Sequence, residues 1–258
     1  MEYYTEEEAR NLVIKAGKRL VEEKLIARTW GNISARISEQ KFVITPSGRG
    51  YESLKPEELV IVDIFDCSYD GNIKPSSEKA VHAAAYLIRP NVKFVIHTHQ
   101  FYASAVCAEE KDTFFAPCAK YGKAGSMELA EKIKSSIYHH PDKKAFLMAK
   151  HGAVCLGKDY EEAFDVTEKL EEKCKKLFEH RARTNANNLP WLDDYAQLFD
   201  QNGNPNLGED PEAIELVREK NRAASCYVRT ALPISPLLAF SEHRMYTKSY
   251  SKLKETNK

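Results

Sequence analysis

Leu12, Val13, Ala16, Leu20 and Val21 recur at helical spacing behind Thr5 and Glu8, a pair placed to form a capping box. This spacing predicts an amphipathic opening helix that ends near Leu25. The polar run TWGNIS after it reads as a turn. KFVITPSG is a short β-branched strand stopped by Pro46 and Gly48, and the continuous apolar core of ELVIVDIFD is a buried strand leading to a turn at Asp70-Gly71. In KPSSEKAVHAAAYLIR, Val81, Ala84, Ala85 and Leu87 keep one face apolar, so a helix is predicted that is entered at Ser76 or Ser77 and closed by Arg89-Pro90. VKFVIHTHQ follows as a strand, FYASAVCAEE as a short helix, SMELAEKIKSSIYHH as a longer helix, and KAFLMAKHGAVCLG as a strand containing a glycine.

From Asp159 to about Arg183, Ala163, Val166, Leu170, Cys174 and Leu177 mark one face of a long helix whose other face is charged. The Asn-rich stretch 184–210 reads as a loop, followed by a helix from about Pro211 and a Lys/Tyr/Ser-rich tail. Strands and helices alternate, though not strictly, so the fold class is α/β. One domain is expected over residues 1–183, with residues 184–258 as its C-terminal extension.

Composition narrows the function classes. At 258 residues and 43% hydrophobic, the chain can bury one large core. Lysine plus arginine equals aspartate plus glutamate at 38 each, so no net field draws in nucleic acid or an anionic membrane. The start MEYYTEEEAR is acidic, and no apolar run reaches the roughly 20 residues that span a bilayer, so a cytoplasmic protein is expected. Cys67, Cys107, Cys118, Cys155, Cys174 and Cys226 lack C-x-x-C spacing and read as reduced thiols without a chemical role.

The chemistry lies with histidine. His97 and His99 stand two apart on a predicted strand, so both rings point the same way, as chelation of one ion requires. His151 precedes Gly152, which could let the backbone approach closely. Three imidazoles and a carboxylate suit a catalytic zinc shell. On the residues alone a His-x-His also fits chance, a lone His-Gly fits a turn, and His139-His140 before Pro141 fits a solvated helix end.

The ordered set G-N-I-S (31–34), I-T-P-S-G (44–48), Tyr51, P-S-S-E (75–78), His82, Tyr86, R-P (89–90), V-I-H-T-H (95–99) and H-G (151–152) resembles the class II aldolase/adducin family, and within it the fuculose-phosphate aldolase branch, over roughly residues 8–180. The resemblance implies a three-layer α/β/α sandwich around a largely antiparallel sheet. It also implies a homotetramer, with residues 184–258 packing on their own domain or on a neighbouring subunit. His97, His99 and His151 would bind Zn2+, or another divalent metal such as Mn2+, Co2+ or Ni2+. Glu78 would act as acid/base and also approach the metal. Gly31, Asn32, Ser47, Gly48, Ser76 and Ser77 would surround a substrate phosphate, a role for which a helix N-terminus with two serines has a physical basis of its own.

The implied reaction is reversible cleavage of a ketose 1-phosphate into dihydroxyacetone phosphate and an aldehyde, with the metal stabilising the enediolate. His82, four residues after Glu78, would support the site from behind or pack. The chain departs from the branch in two places. Residues 101–125 lack its His-Tyr pair, Tyr121 matching a different tyrosine, and Lys150 stands where asparagine is usual, so it should face away or reach a substrate anion. Tyr227, Tyr246 and Tyr250 are unranked candidates in the tail.

Two other readings stand beside cleavage. One is a sugar-phosphate 4-epimerase or a methylthioribulose-phosphate dehydratase. Epimerases, however, carry aspartate at the position of Glu78 and a downstream G-T-T-H-A-D that is missing here. The other is a non-catalytic adducin-like interaction module, which would have lost the metal ligands that this sequence keeps.

Overall fold

The structure, a computed structural model, describes residues 2–26 and 30–185. Elements run in the order α1 (Glu6–Glu22), β1 (Asn32–Arg36), β2 (Lys41–Ile44), β3 (Val60–Asp63), α2 (Lys79–Ile88), β4 (Phe94–Thr98), α3 (Phe101–Cys107), β5 (Cys118–Ala119), α4 (Met127–His139), β6 (Ala145–Met148), β7 (Gly152–Gly157) and α5 (Tyr160–Asn185). The expected loop, helix and tail beyond residue 185, with Cys226 and the three tail tyrosines, lie outside the described residues.

The seven strands form one sheet in the order β3-β2-β1-β4-β7-β6-β5. Every neighbouring pair is antiparallel except β5 with β6. Because strand side chains alternate between faces, the sheet feeds two cores. Ile33, Ala35, Phe94, Ile96, Ala153 and Cys155 pack with α1, α3 and α5. Phe42, Val95, Val154 and Leu156 pack with α2 and α4. The described residues thus form a three-layer α/β/α sandwich with a largely antiparallel sheet. Among the described residues no helix is long and apolar enough to cross a membrane.

α1 starts where the capping box predicts. Glu8 N–H donates to Thr5 Oγ1 at 3.2 Å and Thr5 N–H to the Glu8 carboxylate at 2.8 Å, a cap worth about 1 kcal/mol. Four other expectations are corrected. α1 ends at Glu22, with Leu25 buried beyond the turn. The stretch Asn32–Ser34 is part of a central strand, all five of whose residues are buried. The polar residues Asn32, Ser34 and Arg36 alternate with apolar ones, and they hide their side chains in hydrogen bonds instead of meeting water. Residues 144–157 form two strands, β6 and β7, joined by a tight turn in which Lys150 takes φ +57°. α2 begins at Lys79, with Glu78 as its N-cap and Ser76 Oγ accepting from Glu78 N–H at 3.2 Å.

Candidate metal centre

β1, β4 and β7 lie side by side, and the site forms at the end of β4 on the α2 side of the sheet. His97 lies in register with Asn32 of β1 and with Val154 of β7, and its side chain is fully buried. His99 follows one residue past the end of β4 and keeps the same face. The Nε2 atoms of His97 and His99 are 3.2 Å apart. The β6–β7 turn delivers His151, whose ring stacks on His97 at 5.1 Å between centroids and meets His99 edge-on at 4.8 Å.

Two glycines make this approach possible. A Cβ at Gly152 would run into the Thr98 carbonyl of β4, and one at Gly31, which has φ +102°, would strike the His97 carbonyl. On the α2 side, Glu78 brings its carboxylate to the rings, with Oε2 2.9 Å from His97 Nε2 and Oε1 2.8 Å from His151 Nε2.

Proton bookkeeping shows what is missing from this cluster. His97 Nδ1–H donates to the Ala153 carbonyl at 2.8 Å. Neutral His97 therefore presents a lone pair at Nε2, facing both the lone pair or N–H of His99 and the Glu78 carboxylate. A proton on His97 Nε2 could serve Glu78 Oε2 and His99. It could not serve His151 Nε2 and Glu78 Oε1, which are close but out of hydrogen-bond alignment and so are buried without partners. Each such orphan costs about 1–3 kcal/mol. One divalent cation among the three imidazoles would give each ring nitrogen that faces the cluster a partner, and one ligand atom from each ring lies within 4.8 Å of the others. The residues fit a metal.

The electrostatics agree. Burial pushes Glu78 upward, but the charge of His97 and the contacts from His151 and His97 outweigh it and hold the carboxyl well below the usual range. Burial, with the neighbouring His97 and His151, drives His99 well below its ordinary value, so its ring is held neutral.

The predicted phosphate residues divide into two groups. An isolated bridge between Pro46 and Pro75 clips the Thr45–Ser47 segment to the Pro75–Ser76 segment, with Ser47 N–H donating to Lys74 O and Ser76 N–H to Thr45 O. This brings Ser47, Gly48, Ser76 and Ser77 together near the entry to α2, with Ser47, Gly48 and Ser77 exposed. Gly31 packs on β4, and both ends of the Asn32 amide are engaged by protein: Nδ2–H donates to Glu78 Oε2 at 3.2 Å and Oδ1 accepts from His82 at 2.5 Å. Lys150 turns to Glu110, with Nζ 2.6 Å from Oε1.

Other neighbours of the site gave little sign in the sequence. Trp30 lies 5.8 Å from the His99 ring between centroids. Glu171 of α5 accepts from Tyr102 N–H and Ala103 N–H, pinning the first turn of α3 directly after the histidine pair. Its signal, a glutamate on the apolar side of α5, is easily taken for part of the charged face.

The sequence profile described as Class II Aldolase and Adducin N-terminal domain matches residues 11–178. A 3-oxo-tetronate 4-phosphate decarboxylase of Haemophilus influenzae is 30% identical over 185 residues, spanning 66% of this chain and 86% of its own. A 5-deoxy-D-ribulose 1-phosphate aldolase of Bacillus thuringiensis is 32% identical over 174 residues, 63% of this chain and 80% of its own. An L-fuculose phosphate aldolase of Methanocaldococcus jannaschii is 31% identical over 176 residues, 63% and 91%. Among solved structures, a putative aldolase/epimerase/decarboxylase from Klebsiella pneumoniae superposes with a TM-score of 0.62 at 26% identity, covering 68% of this chain and 90% of that one.

Proposed function

Because the chain belongs to the class II aldolase and adducin family, we propose that it is a divalent-metal-dependent lyase that cleaves a ketose 1-phosphate reversibly into dihydroxyacetone phosphate and an aldehyde. The observation that carries this reading is the gathering of three imidazoles beside the carboxylate of Glu78, with an orphaned His151 Nε2 that a cation would satisfy. His97, His99 and His151 would hold the ion, and zinc suits three imidazoles and a carboxylate. When bound, it supplies Lewis-acid stabilisation of the negative charge that develops on the substrate oxygens as the carbon–carbon bond breaks.

The protein's own groups do the rest. Ser76 and Ser77, with Ser47 and Gly48 across the Pro46–Pro75 bridge, offer hydroxyl and N–H donors to the phosphate and fix the substrate's end. Glu78 would move the proton on the carbon beside the broken bond. Gly31 and Asn32 act on the histidines and on Glu78. The relatives that cleave deoxyketose phosphates support this substrate class.

A second reading has a specific observation behind it. The decarboxylase relative matches this chain as extensively as the aldolases do. Loss of carbon dioxide from a 3-oxo acid phosphate leaves negative charge at the same place and needs the same reprotonation by Glu78. Unlike aldol cleavage, it needs no base to take the proton of a hydroxyl that becomes an aldehyde carbonyl, and the His-Tyr pair of the fuculose branch is missing from residues 101–125.

The deciding experiment measures metal content of the purified protein and of His97→Ala/His99→Ala. Both are assayed for dihydroxyacetone phosphate from a panel of ketose 1-phosphates and for carbon dioxide from a 3-oxo-tetronate 4-phosphate. Metal-dependent triose phosphate from a ketose phosphate sustains the aldolase reading. Carbon dioxide alone replaces it with the decarboxylase, and neither product from metal-loaded protein rejects both. A homotetramer, expected from the family resemblance, is checked by light scattering.

A further inference from the structure

Behind Glu78 lies a line of buried polar groups that the proposed reaction does not itself use. Asn32, Ser34, His82 and Tyr86 are each at most 4% exposed. Asn32 Nδ2 is 3.2 Å from Glu78 Oε2, and Asn32 Oδ1 is 2.5 Å from His82 Nε2. His82 Nδ1 is 2.6 Å from Ser34 Oγ, which is 2.7 Å from the Tyr86 hydroxyl. Four contacts join two strand residues and two helix residues to the N-cap of α2.

Chemistry allows one direction only. An ionised carboxylate solely accepts, so Asn32 must turn its NH2 to Glu78 and its oxygen to His82. His82 must then donate from Nε2. Burial, with the nearby His97, pushes its pKa down to about 3 and keeps the ring neutral, so Nδ1 carries a lone pair. Ser34 must fill that lone pair with its hydroxyl hydrogen, which leaves its oxygen to accept from Tyr86. Every donor points toward Glu78, and reversing any one link would leave a buried group unpaired at about 1–3 kcal/mol.

The consequence falls on the two oxygens of Glu78. Oε2 is occupied by the Asn32 N–H and lies beside His97, whereas Oε1 is buried 2.8 Å from His151 Nε2, a nitrogen turned to the metal position, and accepts no hydrogen bond. We infer that Asn32, His82, Ser34 and Tyr86 form a one-way hydrogen-bond chain that positions Glu78, holding Oε2 as an acceptor and leaving Oε1 as the oxygen that exchanges the substrate proton. This rests on the acid/base role proposed above. In cleavage the substrate hydroxyl that becomes the aldehyde carbonyl gives up its proton, the carbon–carbon bonding pair stays on the enediolate, and Oε1 passes a proton to that carbon. In the reverse addition Oε1 takes the proton from the carbon, which keeps the bonding pair and forms the new carbon–carbon bond. The four chain residues are positioning residues, since none touches substrate.

Two measurements test the inference on the full-length protein. The first is the tautomer of His82 by imidazole 15N NMR at neutral pH. A hydrogen on Nε2 and a bare Nδ1 sustain the chain, and a hydrogen on Nδ1 overturns it. The second compares His82→Gln, whose amide can still donate toward Asn32 and accept from Ser34, with His82→Leu, which does neither. Using whichever substrate the parent cleaves, His82→Leu should lower kcat roughly 10- to 100-fold, with KM changed less than about threefold, while His82→Gln stays within about threefold of the parent. Equal losses in the two variants would make ring volume the cause and overturn the inference. If the parent cleaves neither substrate class, the proposed function has failed, and the tautomer alone decides the chain. The same holds if His82→Leu does not fold.

Discussion

Asn32 Nδ2 and His97 Nε2 approach the same atom, Glu78 Oε2, at 3.2 and 2.9 Å. They do so because Asn32 and His97 are register partners on adjacent antiparallel strands, and opposed residues share a face. The carboxylate is therefore gripped from the sheet by two elements and carried by a third. Its replacement should separate binding from chemistry. Glu78→Gln keeps the volume but loses the base, so kcat should fall by roughly 10²- to 10⁴-fold while metal content, read by elemental analysis on the same sample, stays close to that of the parent. A parallel loss of metal would instead make Glu78 chiefly a ligand.

Removing the metal should show in stability as well as in activity. A ligand that binds only the folded state, at a thousandfold excess over its dissociation constant, adds about 4 kcal/mol, which for a chain of this size raises Tm by roughly 10 °C. Zinc added to the chelator-stripped parent should give a rise of that order in a thermal scan. His97→Ala/His99→Ala should give none. Because imidazole binds metal only when deprotonated, the rise should shrink as pH is lowered into the acid range.

Much of this was legible in the chain, and the failures have physical causes. Helical and strand periods located α1, α2, α4 and α5 and the strand bearing His97, because each of these buries one apolar stripe. β1 does not show as a strand in the sequence because its polar residues are as buried as its apolar ones: Asn32 and Ser34 face Glu78, His82 and Tyr86, and no pattern of hydropathy marks a polar residue that will find partners forty or fifty positions away. The β6–β7 hairpin reads as one strand because its turn uses Lys150 at positive φ, where glycine or asparagine would have announced it. The histidines and Glu78 stood out by spacing and order. The relay behind them did not, since its members are separated in sequence and join only when α2 lies on the sheet.

Gly152 tests how closely β7 must approach β4. A Cβ there would collide with the backbone carbonyl of Thr98, which cannot swing aside as a flexible side chain can. Gly152→Ala should therefore cost roughly 1–3 kcal/mol by overpacking, measured as a lower denaturation midpoint. It should also weaken zinc binding, because the turn that delivers His151 runs straight into β7 and is pushed away from His97 with it. Destabilisation with unchanged zinc affinity would show that the turn adjusts independently of the strand.

Glu171 connects stability to pH at a site near the metal centre but outside it. Its carboxylate caps the first turn of α3 at 2.8 and 2.9 Å. Burial raises its pKa to about 7, against the N–H groups of Tyr102 and Ala103 and the charge of Lys175, which act to lower it. The folded state thus keeps the proton over a pH range in which the unfolded chain, with a value of 4.5, has lost it. The contribution to stability is fully present below about pH 4.5 and is lost as pH rises through about 7. At 1.36 kcal/mol per unit, the loss amounts to roughly 3 kcal/mol. Glu171→Gln cannot titrate, so its unfolding free energy should lack this fall. Denaturant titrations of both proteins at several pH values from 5 to about 8 should show the parent losing ground to the variant up to neutrality, and a constant difference above it. Parallel curves over the whole range would mean that the two N–H groups hold Glu171 ionised in spite of its burial.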